Sequence, residues 1–525
     1  FDKKYDSTLT VAKDTDKTFN INTLTDGAGN SLILGEAGNN NVGKITINGK
    51  VAARGDINLQ GGTIANNGIL LAGLGNNETA ALTGHEAANT LFTKLVNIDN
   101  LGTANTFINN NGNITIKSVT GTSVGSGALV RNYGTGNVSI DNTGANGIAI
   151  AGEVSNPNGA TTITNSNGGL LVDTTGKILS GGSALTVNNS NLRVENTGAG
   201  GMDIQGKVLA NHSNKTNTVN FVNKNSNMKI GSATNDKNIE SNADVNIAVT
   251  DGNLLNNGFA NTLIYTTNGA DLNTTVTNGR IGDEVGPCDG TTCTGIGPNG
   301  RDLTKSVNVN IDGVITATST KGTNTSLINI ASLNNDMHVN QIKADGRVIL
   351  LADDSTTKGS RAFNIVNRTK DDTNPNVEGT GISIIASGSV GEDNKALTFR
   401  QNGYTYNREG DDARDPHKID NINKSGEGVD ILAIKNINVK GMDDANNNKL
   451  DTNVCAIISR EGDVNAEFSG NVYVRETTAK NKINLTTRGK NMYIDHLGEV
   501  PNYGTDYYGE NKNIHPTRVK LVALD

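Results

Sequence analysis

A chain of 525 residues with 34% hydrophobic and 4% aromatic residues and no Trp falls short of the roughly 45–50% apolar content that fills a globular core, which argues against three or four ordinary domains. The formal net charge is −8 and the sequence pI near 5.4, with Lys and Arg scattered rather than gathered into a basic stripe, which argues against nucleic acid as a partner. No window approaches the ~18 consecutive apolar residues of a membrane-spanning helix.

The 81 Asn outnumber even the 63 Gly, and Pro is only 7. Both abundant residues tolerate the left-handed backbone of tight turns, so the chain is expected to turn often between many short strands. The first elements are the triplets Ile45-Thr46-Ile47, Ile57-Asn58-Leu59 and Ile69-Leu70-Leu71, spaced by 12 residues. Equivalent triplets follow at Ile114-Thr115-Ile116, Val138-Ser139-Ile140, Leu192-Arg193-Val194, Val219-Asn220-Phe221, Val245-Asn246-Ile247 and Leu272-Asn273-Thr274, the last four stepping by 27, 26 and 27. A repeat of this period reads as a solenoid. No stretch carries a sustained helical spacing of apolar residues.

Within each triplet the aliphatic residues point to one face, the narrow core, and the polar residue between them to the other. Stacked in register, such coils pair every backbone N–H and C=O, and Asn at repeated turn positions adds amide ladders. The expected fold is all-β: a right-handed parallel β-helix, an elongated rod with loop insertions in its second half. At about 25 residues per coil and ~4.8 Å per coil, some 20 coils would span about 100 Å.

The regular Asn/Gly-rich repeats occupy 1–280. In 281–500 the step widens, Val307-Asn308-Val309 being read as the next triplet, with insertions at 356–378 and 401–428. The tail 501–525, with Tyr503, Tyr507 and Tyr508, departs from the repeat. The residues after Phe1 show no export signal, so an exported chain of this kind is expected to be an internal piece, or a processed product, of a longer precursor.

Pro287-Cys288-Asp289-Gly290-Thr291-Thr292-Cys293 is a Gly-containing loop short enough to close as a disulfide in an oxidising compartment. A zinc site lacks a second Cys or His pair nearby. Cys455, in Val454-Cys455-Ala456-Ile457-Ile458, reads as a small buried hydrophobe. Paired acids at Asp353-Asp354, Asp371-Asp372, Asp411-Asp412 and Asp443-Asp444 could serve glycoside hydrolysis but read as solvated loop charge. His85, His212, His338, His417, His496 and His515 are too scattered for a metal cluster or a triad.

Asp444-Ala445-Asn446-Asn447-Asn448-Lys449 begins like a calcium loop, but Lys449 stands where Gly is needed and Cys455 where Glu is needed. No catalytic residue, metal or cofactor is therefore assigned. Arg54-Gly55-Asp56 spells an integrin-recognition tripeptide, although Gly-Asp is also ordinary turn chemistry. Tyr404, Tyr406, Tyr503, Tyr507 and Tyr508 are further contact candidates, because exposed aromatics favour interfaces.

More specific wording appears in Glu284-Val285-Gly286-Pro287-Cys288-Asp289-Gly290, Cys293-Thr294-Gly295-Ile296-Gly297-Pro298 and Arg301-Asp302-Leu303-Thr304-Lys305-Ser306-Val307. It continues in Asp345-Gly346-Arg347-Val348-Ile349-Leu350-Leu351-Ala352-Asp353, Leu397-Thr398-Phe399-Arg400-Gln401-Asn402-Gly403 and Asp451-Thr452-Asn453-Val454-Cys455-Ala456-Ile457-Ile458-Ser459-Arg460. Across roughly 240–525 the chain resembles leukotoxin-family filamentous adhesins of diderm bacteria; the first half is similar only in the style of haemagglutinin-like repeats. The resemblance implies very long proteins exported by a type V route through an outer-membrane partner, forming extracellular β-helical stalks or filaments at the cell surface. The leading expectation is an adhesive or structural fibre segment whose partners are further coils, of itself or of the same polypeptide, and an unidentified surface receptor. The alternatives are a passive stalk for a distal binding tip and a carbohydrate-active β-helix enzyme.

Overall fold

The computed structural model describes residues 3–5, 9–11, 17–20, 23–25, 32–34, 43–53, 55–73, 112–132, 134–181, 191–212, 218–284, 302–322, 326–357, 359–403, 428–489, 491–498 and 516–524. No helix occurs among them. Short strands pair in parallel with strands of neighbouring coils, and the fold is an all-β parallel β-helix. It divides into two compact units, Phe1–Gly252 with Tyr265–Ala270, and Asn253–Ile264 with Asp271–Asp525.

A coil of the first unit has three strands. Val138–Asn142, Ile148–Ile150 and Glu153–Asn156 are followed one coil later by Thr161–Asn165, Gly169–Val172 and Lys177–Ser180. Val138 pairs with Thr161, Ile148 with Leu170 and Glu153 with Lys177. Alternation of small polar and aliphatic residues dictates this form, since every second side chain turns inward. The inward column Ile116, Ile140, Ile163, Val194, Phe221 and Ile247 is buried throughout. Burying each such side chain contributes roughly 1.5–3 kcal/mol, so a thin core is stabilised residue by residue.

The 12-residue spacing near the start goes round the coil rather than up the stack. Ile45 pairs with Ile64, Ile57 with Ile114 and Ile69 with Leu129, on three different faces. The later triplets from Ile114 to Val245 do share one column, through Thr161, which an aliphatic pattern passes over. In the second unit Leu272 pairs with Ile315, while Val307 pairs with Ile330 on another face, so Val307 is not the next member of the series. One other expectation is corrected here: segment 356–378 contains the strand Ile365–Asn367, stacked on Met337–Val339. In the tail, the alternation Val519-Lys520-Leu521-Val522 reads as a strand in the sequence, and the strand Arg518–Ala523 is stacked there on Lys482–Thr487.

Beside the inward column of the first unit runs a buried amide ladder. Asn142 Nδ2 donates to Asn165 Oδ1 at 2.8 Å, Asn165 Nδ2 to Asn196 Oδ1 at 2.7 Å, and Asn196 Nδ2 to Asn223 Oδ1 at 2.8 Å. All four residues are fully buried, and Ser118 Oγ opens the series by donating to Asn142 Oδ1 at 2.7 Å. Asn serves the turns as well: among the described residues five of the seven non-Gly residues at positive φ are Asn, including Asn225 at 63°, where the left-handed region disfavours most side chains. Gly147 shows the tighter case, with φ of 72° and a backbone so close to the next coil that a Cβ would collide with the Gly169 carbonyl oxygen.

The second unit is built differently. Leu327–Leu333, Arg347–Asp353, Ile382–Ala386, Val429–Ala433, Thr452–Ser459, Val472–Ala479 and Met492–Leu497 form one parallel stack. Several of these strands are buried along their whole length, so both sides of this sheet are covered, and they read as apolar runs rather than alternations. Cys455 is buried as expected, at a one-residue bulge: Val454 pairs with Val429 but Ala456 with Asp430. Phe399 and Phe468 meet edge to face, 6.4 Å apart, on either side of Gly441, which stands in register between them without a side chain.

Replacing Asn165 by Ala removes both of its ladder bonds and leaves buried amide atoms of Asn142 and Asn196 short of a partner. Asn165→Ala is expected to lower the unfolding free energy by ~2 kcal/mol or more, measured by denaturant titration. The same change at exposed Asn167 should cost no more than about 0.5 kcal/mol.

Candidate functional site

Arg54, Cys288, Cys293, Tyr404, Tyr406, Tyr503, Tyr507 and Tyr508 lie outside the described residues, as do His85, His417, His515 and Asp411-Asp412. Of the Arg-Gly-Asp tripeptide, Gly55 is buried and Asp56 is exposed. The Asp56 carboxylate is engaged one coil on, accepting from the Asn113 backbone N–H at 2.7 Å and from Asn113 Nδ2 at 3.2 Å. The next coil repeats the contact, with Asn137 N–H donating to Asn113 Oδ1 at 2.8 Å. Asp56 is thus a rung of a second ladder.

The acid pairs behave unequally. Asp353 and Asp354 are buried, against the expectation of solvated loop charge. Asp353 Oδ1 accepts from the backbone N–H groups of Asp354 at 2.7 Å and Gly359 at 2.9 Å. Asp354 Oδ1 accepts from Thr356 N–H and Oγ1, both at 2.9 Å, and its Oδ2 from Arg361 Nε at 2.8 Å. The Thr356 amide and the Arg361 guanidinium hold the Asp354 carboxyl well below the usual carboxylate range. Asp371 is an exposed and Asp444 a half-buried turn acid, lowered chiefly by Thr373 and by Asn448 respectively. A general acid needs the opposite shift.

In the second unit, ionic groups connect one coil to the next. Buried Glu378 receives Arg400 Nη1 at 3.3 Å and Lys343 Nζ at 3.2 Å. Arg400 Nε also donates to the Asp443 carbonyl at 2.9 Å, and the Asp443 carboxylate receives Arg488 Nη2 at 3.0 Å. The partners are separated in sequence by about the length of one or two coils, so a local reading of charge could not find them.

No family model matches the chain, and neither the curated proteins nor the solved structures hold a match to it.

Among the described residues no group of three or more His, Cys, Asp and Glu is arranged to hold a metal ion, and no helix is long and apolar enough to cross a membrane. A concavity of about 430 Å³ lies on the first unit, lined by Gly200, Met202, Asp203, Asn225, Ser226 and Lys229 together with neighbouring backbone. Its one carboxylate, Asp203, accepts from Gln205 Nε2 at 2.7 Å.

His212 is buried in the first unit. Its backbone N–H donates to Asn242 Oδ1 at 2.7 Å, and its carbonyl accepts from Asn242 Nδ2 at 2.8 Å. Burial pushes its pKa down to about 4 from an ordinary 6.5. Between these values the unfolded chain binds the extra proton, so stability rises with pH across the window. The contribution is full above ~6.5 and is lost as pH falls toward ~4. The lowered carboxylates add to the decline only at its acid end, from about pH 5 downward. Urea midpoints should therefore fall between pH 7 and pH 4.5 in the native sequence, and His212→Leu should flatten that decline.

Proposed function

We propose that this chain is a non-enzymatic segment of a filamentous adhesin, exposed on the surface of a diderm bacterium and serving attachment or the building of an extracellular fibre. The observation that carries the reading is where the polar side chains go. The Asn142–Asn165–Asn196–Asn223 ladder, the Asp56–Asn113–Asn137 series and the Glu378–Arg400 pair all connect one coil to another. That is the economy of a solenoid, whose stability is a sum of rungs and neighbour contacts. The resemblance of 240–525 to leukotoxin-family adhesins, with their type V export, supports the same reading.

Antibodies raised against the second unit should decorate extracellular fibres in immunogold electron microscopy, and cells lacking the chain should attach less to host or neighbouring cells. Label confined to the cell interior, or unchanged attachment, would overturn the proposal.

A further inference from the structure

Asn followed by Gly is a pair prone to react with itself, because the glycine amide nitrogen can reach the Asn side-chain carbonyl carbon with no Cβ in the way. In a folded chain the reaction depends on what else holds that N–H, since the bond must be given up first. Most of the described Asn-Gly pairs have the N–H tied elsewhere. Those of Gly49, Gly147 and Gly279 donate to the backbone carbonyls of Phe19, Gly144 and Thr320, at 2.7, 3.2 and 3.2 Å. Those of Gly68, Gly159 and Gly258 donate to the side chains of Asn66, Asn156 and Asn256, at 3.2, 3.1 and 2.9 Å, and not to the Asn that directly precedes them.

Asn167-Gly168, in the turn between Thr161–Asn165 and Gly169–Val172, is arranged differently. The Gly168 N–H donates to Asn167 Oδ1 at 2.9 Å and, among the described residues, to no other group. Oδ1 is bonded to Cγ, so the nitrogen and the carbon it would attack lie side by side, the proximity on which intramolecular reactions depend. The Asn167 side chain is exposed, and its Nδ2 has no hydrogen-bond partner among the described residues, so water reaches the site and nothing retains the leaving amide. Exposure alone does not single it out, because Asn48 and Asn146 are exposed too. Asn402, before Gly403, is half-buried, and its Nδ2 donates to Glu378 Oε1 at 3.1 Å.

We propose that Asn167 is a site of spontaneous covalent modification, with the chain and water as the only reactants. The Gly168 nitrogen loses its proton to hydroxide and forms a bond to Asn167 Cγ. The Cγ–Nδ2 bond breaks, and the amide takes a proton from water and leaves as ammonia, closing a succinimide ring. Water then opens the ring at either carbonyl, giving aspartate or, with the chain running through the side-chain carbon, isoaspartate. The place gives the change its effect. The Asn167 carbonyl accepts from Asn142 Nδ2 at 3.4 Å, and the Gly168 carbonyl from the Gly200 N–H at 2.9 Å, so the turn is packed between those of the coils before and after it. Gly168 has φ of 73°, and a Cβ there would meet the Ala145 carbonyl oxygen. Isoaspartate adds a backbone atom and a negative charge in this tight turn, beside the buried ladder rung Asn165. The coil therefore loosens as the protein ages. This goes beyond the adhesin reading and does not depend on it.

The test is to hold the native protein in mildly alkaline buffer made with heavy-oxygen water and to follow its peptides by mass spectrometry. Asn167 should exchange amide for acid, with uptake of heavy oxygen, roughly fivefold to tenfold faster than Asn48 or Asn146, the factor that one net hydrogen bond is worth. In urea-unfolded protein the three should react at similar rates. Hydroxylamine, which cleaves succinimides, should cut the native chain between residues 167 and 168 before it cuts at the other two pairs. Asn167→Ala, with an unchanged circular-dichroism spectrum, should abolish both signals at that position and should lose less of its urea midpoint on ageing than the native sequence does. Native rates at Asn167 equal to or below those at Asn48 and Asn146 would overturn the assignment. An aged native protein whose urea midpoint falls no further than that of Asn167→Ala would overturn the loosening of the coil.

Discussion

A backbone N–H or C=O taken out of water must find a partner. A chain with so few large apolar residues cannot surround its backbone with a thick core, and it meets the requirement by laying each coil on the previous one in parallel register. The consequences follow in order. Register makes like residues stand over like, as in the column Ile140, Ile163, Val194 and Phe221. The same stacking brings Asn over Asn at 2.7–2.8 Å, so that an amide with both donor and acceptor satisfies its neighbours on either side. Asn is useful here for a second reason, since it also accepts the positive φ of the turns.

The two units apply the constraint differently. In the first, strands such as Thr161–Asn165 and Val138–Asn142 alternate buried and part-exposed residues. In the second, Leu351, Ile385, Leu432 and Ile458 point away from the coil interior yet are buried, clustering with Leu303 outside the sheet. Burial on both sides lets longer strands form and brings charge inward, as with Glu378 between Arg400 and Lys343. A partly buried ion pair of this kind is screened less by salt than an exposed one such as Lys435–Glu461, so the ties in the second unit that hold at high ionic strength are the buried ones.

Much of this was legible in the sequence. Short alternations between Asn/Gly turns, with too little apolar mass for anything thicker, lead to a parallel solenoid by elimination, and the abundance of Asn pointed to amide ladders. Register was harder, because it depends on which triplet stands over which. A step of 12 and a step of 27 look alike in a list of triplets, although one runs round the coil and the other climbs it. Val307, on another face, was misread for that reason, whereas Thr161 escaped notice in its column because it is not aliphatic. The polar ties were less visible still. Asp56 and Asn113 are 57 residues apart, and nothing local distinguishes a rung from a recognition tripeptide. Asp353-Asp354 looked like loop charge because turn amides that bury a carboxylate leave no composition signal.

The central claim is that sequence separation is converted into height at one fixed increment per coil. Pulsed dipolar electron paramagnetic resonance in the first unit tests it directly. Thr115, Ser139, Thr162, Arg193, Asn220 and Asn246 stand in register on successive coils, each between two inward residues. Spin-label pairs at 139 and 220, 139 and 246, and 115 and 246 span three, four and five rungs. The backbone separations should be about 14, 19 and 24 Å, at ~4.8 Å per rung. Distances that do not grow linearly with rung number, or that follow residue count instead, would contradict the account.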